Sequence, residues 1–322
     1  MANLKLKFTT GYNTDDLTAY VDQNKSPLYT SAVYGGETMS KLSGSIMTGV
    51  KSKEQINYMD IDAILSGDSG CGTQTASGEV YFPIKEVEVG KVGQRIKLCP
   101  SDLETFYTQK FLPTGSYYEE LPFNTELMAR YTEKMAQVIE TKIWQETTDF
   151  DGFIKTIEAT TDVVLANAST GGWTPITSGT GITASNIMSI LYRVVEVVPT
   201  SLFGNPSLEI FLEPKHFNSM LIALTNANLF HFAVEKDAYT KKSTFIPAFG
   251  LTVTALPGLV GTDRIICSRL ENYVIATDET SDYDAQVRVF YDEDSELINI
   301  RLKAKFGTQI KFGSELVYFK LA

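Results

Sequence analysis

Two histidines, His216 and His231, are the only imidazoles in the chain, so a general base of that type must be one of them. His216 falls in a stretch expected to be helical. His231 sits inside "NLFHFAV", and no Gly-x-Ser-x-Gly elbow partners either residue. Surface or interface hydrogen bonding is the expectation for both. The three cysteines, Cys71, Cys99 and Cys267, are far apart and form no Cys-x-x-Cys pair, which speaks against a zinc site or a disulfide framework and for synthesis in a reducing cytoplasm.

Two acidic clusters, "DETSDYD" at 278–284 and "YDEDSE" at 291–296, have the ligand type for calcium but not the glycine-centred spacing of an EF-hand loop. The second lies between two alternating segments and reads as a hairpin turn. "SGTGITAS" at 178–185 precedes a helix and could cradle an anion. It lacks the lysine of a phosphate clamp and reads as a flexible linker. No Walker sequence and no Gly-x-Gly-x-x-Gly after a strand occurs. Lys241 and Lys242 are a basic doublet, and two charges do not make a nucleic-acid face. The search ends with no catalytic residue, no cofactor and no metal expected.

The elements that would position chemistry tell more. A length of 322 residues suggests about two domains at ~150 residues each. The 43% hydrophobic and 21% charged fractions are those of a globular chain. A net charge of -11 argues against a basic surface that wraps nucleic acid, and suits a container whose wall must not adhere to its contents. "MANLKLKF" lacks the regions of a signal peptide, and no run approaches the ~20 apolar residues of a membrane span, so a soluble protein without membrane contact is expected.

Residues 1–50 are polar and carry Tyr12, Tyr20, Tyr29 and Tyr34. They read either as a surface arm with snorkelling aromatics or as an extended arm docked on another subunit. "INYMDIDAIL" and "EVYFPIKEVEV" alternate as strands of a hairpin around a glycine-rich tip at 66–78. A two-stranded hairpin is marginal alone, so a neighbouring chain must complete it. Ser101 and Glu104 have the spacing of a capping box for a short helix. Asn124 would cap a long one, buried through Met128, Tyr131, Met135, Val138, Ile139 and Ile143, with charges such as Glu140 outside. "GFIKTIEATTDVVLANA" reads as a strand patch, and 169–185 as the passage between domains. Ile187, Ile190, Leu191, Val194, Val195 and Val198 keep helical spacing up to Pro199. "SLEIFLEP" is a short strand leading into a helix with Pro214 near its first position. "LTVTAL" and "RIICS" are core strands. From Leu297 the alternation of Ile298, Ile300, Leu302, Ala304 and Phe306 makes a long strand.

An arm, a glycine-tipped hairpin, a long helix, an α/β region and a closing ribbon, in that order, resemble the major capsid proteins of tailed bacteriophages with the Hong Kong 97 (HK97) fold. "LEIFLEPKHFNSMLIAL", "FIPAFGLTVTALPGLVGTDRIICSRLENYVIATD" and "AQVRVFYDEDSELINIRLKAKFGTQIKFGSELVYF" carry the resemblance. It implies an α+β capsid fold: N-terminal arm 1–50, extended loop 51–100, peripheral domain with spine helix 101–182, axial α/β domain 183–285, and C-terminal strands 286–322 returning through the peripheral domain. The implied function is a self-assembling subunit, in hexamers and pentamers, of an icosahedral head around phage dsDNA. Its partners would be sister chains, scaffolding, portal and accessory capsid proteins, and DNA bound without sequence specificity. Its place would be the virion, after synthesis in the bacterial cytoplasm. The expected subunit interface is Tyr12 and Tyr20 on the arm, Met59, Ile61, Gly70, Gly72, Phe82 and Ile84 on the hairpin, and Phe230, His231 and Phe232 in the loop nearing the capsomer centre. Alternatives are an encapsulin-like nanocompartment shell, a tail-tube or adaptor protein, and an acidic α/β hydrolase with paired carboxylates in a cleft.

Overall fold

The computed structural model describes residues 14–63, 78–100, 102, 121–227, 242–246, 249–278 and 287–322. The long strand expected near the end of the sequence organises one half of the molecule. β14, Leu297–Ile310, runs 14 residues with Ile298, Ile300, Leu302, Ala304 and Phe306 buried. One edge of it is shared end to end by β12 (Tyr273–Thr277) and β13 (Val287–Asp292), and the other edge is taken by β6 (Gly90–Leu98). β1 (Ile46–Thr48) adds in parallel to β12 and completes a five-stranded sheet. The acidic segment 293–296 is the turn of the β13–β14 hairpin, with Glu296 at φ 54°.

A six-stranded sheet in the order β7-β15-β11-β8-β10-β9 forms the other half. Its strands are β7 (Val164–Leu165), β8 (Leu208–Leu212), β9 (Ser243–Ile246), β10 (Leu251–Ala255), β11 (Ile265–Arg269) and β15 (Val317–Phe319). Both its faces are covered, which is why "EIFL" and "IICS" read as continuous apolar runs. Ile210, Leu212, Ile265, Cys267, Val317 and Phe319 pack with helices α6 (Ile187–Glu196) and α7 (Pro214–Asn226). Phe211, Ile266 and Tyr318 point the other way, into the core shared with the five-stranded sheet. Burial pushes the Cys267 thiol up to about 12, so it is an inert core residue.

The sheet memberships cut across the expected boundaries. β6 belongs to the five-stranded sheet, so among the described residues the hairpin strands outside the two main sheets lie within 53–63 and 78–88. β12 pairs with β14 rather than with the axial strands, and β15 leaves the ribbon to join the six-stranded sheet. Residues 169–186 are pinned rather than loose. Asn167 accepts from Trp173 Nε1 and the Ile176 N–H, Arg193 donates to Thr170, and Ile176 accepts from Ala322. The Thr183 N–H in "SGTGITAS" donates to Asn186 Oδ1.

Residues 14–41 correct the expectation of an arm. They form α1 (Thr14–Gln23), α2 (Lys25–Tyr34) and α3 (Glu37–Lys41), and α1 and α2 bury Leu17, Val21, Leu28, Tyr29, Ala32 and Val33 in the main core. Pro27 sits in the first turn of α2, where a missing N–H costs nothing. The segment 153–165 is also corrected: Phe153–Ala159 is a helix, α5, and only Val164–Leu165 is strand, because Phe153, Thr156 and Ile157 are buried at helical spacing.

The long helix α4, Leu121–Gln145, buries Met128, Tyr131, Met135, Ile139 and Ile143 as expected. Val138 is exposed and Glu140 is buried, the reverse of the expectation. Near its end Trp144 is fully buried against Phe153 at 5.0 Å, Tyr273 at 6.0 Å and Phe211 at 6.1 Å between ring centroids. Such aromatic pairs add ~0.5–1.5 kcal/mol each beyond area burial. Because Phe211 and Tyr273 belong to different sheets, this cluster joins the two halves. Among the described residues no helix is long and apolar enough to cross a membrane.

Candidate assembly surface

The hairpin is built from four short strands. β2 (Lys53–Asn57) pairs with β5 (Ile84–Glu88), and β3 (Asp60–Ala63) with β4 (Gly78–Tyr81). Pro83 lacks the N–H a ladder needs, so the expected continuous strand 79–89 breaks there, opposite Tyr58–Met59. The two halves differ in support. At the base, Ile56 and Val87 are buried with Val50, Val89, Val274 and Ala276. Tyr58 stacks edge-on with Phe312 at 4.6 Å, Lys85 Nζ donates to the Ile310 carbonyl at 3.0 Å, and Gln309 Nε2 donates to the Glu86 carbonyl at 2.7 Å.

Beyond the base, the apolar side chains meet no body. Phe82 is 70% exposed, Ile84 59% and Met59 58%, and Val80 and Tyr81 are about half exposed. Five exposed large apolar side chains within one hairpin are more than the single exposed residues ordinary on a protein surface, and mark it as a surface to be covered. An open cleft of about 790 Å³ lies beside the hairpin's base, lined by Lys53, Lys85, Glu88, Asp149, Asp151 and Asp162. Glu88, Asp149 and Asp151 are solvated and paired with Lys53, Lys142 and Lys155. This is a wetted surface and not the desolvated carboxylate couple of a hydrolase.

Two glycines set where the hairpin leaves the body. A Cβ on Gly307 would come within 2.2 Å of the Glu88 carbonyl, and one on Gly90 within 1.8 Å of the Asp149 carbonyl. The chain turning from β5 into β6 therefore presses directly on β14 and on the turn after α4, and only glycine permits that approach.

Of the residues expected at an interface, Met59, Phe82 and Ile84 lie together on the exposed hairpin. Ile61 is in β3 opposite Val80. Tyr20 is half-buried on α1 against the core of its own chain. Tyr12, Gly70, Gly72, Phe230, His231 and Phe232 lie outside the described residues, as do Cys71, Ser101, Glu104 and Lys241. His216 is corrected. It is completely buried, between Glu213 and Asp263. Lys242 is ion-paired with Glu37. Sequence reasoning missed Phe203, 90% exposed after a single 3-10 turn. The signal was present, because an aromatic in "PTSLFGNPS", enclosed by Pro199, Gly204 and Pro206, has no element of its own to be buried by.

No protein-family model matches the chain, and no curated protein matches it. Solved structures do. A chain of the Cyanophage A-1(L) capsid asymmetric unit superposes with a TM-score of 0.55 at 11% identity, over 88% of this chain and 92% of that one. A chain of the satellite phage P4 procapsid that includes the size determination (Sid) protein gives 0.53 at 10%, over 93% and 98%. The capsid of cyanophage P-SCSP1u gives 0.51 at 10%, over 86% of both. The two sheets, the long helix and the hairpin thus compose the HK97-type capsid fold.

Proposed function

We propose that this chain is a structural subunit, the major capsid protein of a tailed bacteriophage, which assembles through hexamers and pentamers into an icosahedral head around double-stranded DNA. The observation that carries the reading is the row Met59, Val80, Phe82 and Ile84, exposed on a hairpin whose base alone is packed. Its fold recurs in assembled capsids. Apolar area gains about 25 cal/mol per Å² when covered, and a sister subunit laid across the hairpin would supply the cover. Stability would then rise on assembly, because binding favours the folded chain.

The role is structural rather than enzymatic. A net charge of -11 fits a wall that repels phosphate, so DNA would be enclosed without sequence-specific contacts. Scaffolding and portal proteins complete the proposed partners, with synthesis in the host bacterial cytoplasm and a final place in the virion. Electron microscopy and sedimentation of the expressed protein, alone and with a co-expressed scaffolding protein, test this. Capsomer rings or closed shells are expected. A monomer under every condition overturns the reading.

A further inference from the structure

We propose that Glu213, His216 and Asp263 form a site for one first-row divalent cation, Zn²⁺ foremost, which fastens the loop before β11 to the start of α7. Glu213 is the N-cap residue of that helix, His216 lies in its first turn, and Asp263 precedes β11 with φ 49°. They meet because β8 and β11 are hydrogen-bonded neighbours, with Leu212 opposite Ile265. The residues just after one strand and just before the other are thereby brought together.

His216 Nε2 stands 2.9 Å from Asp263 Oδ1 and 3.2 Å from Glu213 Oε1, and the three donor atoms all lie within 4.8 Å of one another. One ring nitrogen carries at most one hydrogen, so it cannot answer two carboxylates fully. Ligands bound at ~2.0–2.2 Å to a common ion stand roughly 3–3.5 Å apart, and the two distances from the imidazole are close to that spacing. Charge points the same way. Two carboxylates against even a protonated imidazole leave one negative charge. A divalent ion with a neutral imidazole leaves none, and Glu213 and His216 are buried at 3% and 0% exposure, where an unbalanced charge is costly. The adjacent Arg264 does not provide balance, since it is turned to Glu158 and the Tyr318 ring.

Glu213 is further held by the Gly261 N–H, which donates to its Oε2 at 2.7 Å. That bond orients the carboxylate and leaves Oε1 for the ion, an outer-shell arrangement familiar at metal sites. The Asp263 side chain is partly exposed and admits the cation from solvent, with water completing the coordination. One imidazole and two carboxylates form a mixed nitrogen and oxygen set, which favours Zn²⁺ over Mn²⁺ and Co²⁺ and excludes Mg²⁺ as a strong ligand partner.

The test uses the full chain, stripped by a chelator, dialysed against micromolar Zn²⁺ and analysed for metal by mass spectrometry. Thermal unfolding is followed with Zn²⁺ and with Mg²⁺, and the visible spectrum is recorded with Co²⁺. The proposal expects one zinc per chain, a rise in Tm with Zn²⁺ but not Mg²⁺, and Co²⁺ bands of a nitrogen and oxygen site. Asp263→Asn leaves a side-chain carbonyl oxygen that can accept from the His216 ring, so the fold is expected to persist. It should weaken zinc by at least the ~10–100-fold that losing an outer-shell partner causes, and His216→Gln should do the same. Less than stoichiometric zinc in the parent chain, or undiminished binding by Asp263→Asn, overturns the site. Neither result depends on whether shells form.

Discussion

Glu140, in the last two turns of α4, accepts hydrogen bonds from both the backbone N–H and the hydroxyl of Thr38, 102 residues away. The same hydroxyl accepts from the Trp144 indole N–H at 2.7 Å. This buried set ties α3 to α4. Burial pushes the Glu140 carboxyl above its ordinary 4.5, and the two Thr38 bonds oppose that rise without cancelling it.

A raised carboxylate means that the folded chain holds its proton when the unfolded chain has lost it. Stability is therefore full below 4.5 and falls as pH rises from there through the raised folded value. Glu140→Gln keeps an acceptor for Thr38, and should flatten that slope in urea titrations at several pH values. Glu140→Ala leaves the Thr38 donors without their partner and should cost about 1–3 kcal/mol. An unchanged slope in the Gln variant contradicts the assignment.

Phe82→Ser with Ile84→Ser is expected to separate folding from assembly. Both side chains are exposed, so monomer stability should change by no more than ~0.5 kcal/mol. Sedimentation should show loss of capsomers or shells while thermal unfolding stays as before. Normal assembly by the double variant would remove the hairpin from the interface.

Gly307→Ala should act in the opposite sense, on the fold itself. Its Cβ meets the Glu88 carbonyl at 2.2 Å, a backbone atom that cannot swing aside. Overpacking of this kind costs typically 1–3 kcal/mol, measured as a lower denaturation midpoint. The hairpin's departure from β14 should change with it, visible as altered proteolysis near residues 88–90.

Phe319→Ala probes the last strand. Phe319 is fully buried and pairs with Ile265 between β7 and β11. A loss of about 3–5 kcal/mol is expected from the cavity and transfer terms together. A small loss would mean that the six-stranded sheet closes without this anchor.

Much of the architecture was legible because its residues alternate or recur with a clean period. Ile298 to Phe306 declare a strand buried on one face, and Met128 to Ile143 a helix buried on one side. Where polar residues dilute the pattern, the period is hidden. Leu17 and Val21, then Leu28 and Ala32, do keep a spacing of four, but the Ser, Thr and Asn between them made a helical hairpin look like an arm. The exposed hairpin was readable from its isolation and its glycine-rich tip. Its break was written in Pro83. The Glu213–His216–Asp263 cluster was not readable, since Asp263 follows His216 by 47 positions and only the β8–β11 pairing brings them into contact.

β14 serves one sheet and β15, a short turn later, serves the other. During synthesis, β6, β12 and β13 wait for a common partner that has not yet been made, and one edge of β11 stays bare until residue 319 has left the ribosome. Open strand edges of that kind attract other nascent chains. Both sheets therefore close only after β14 and β15 have been made.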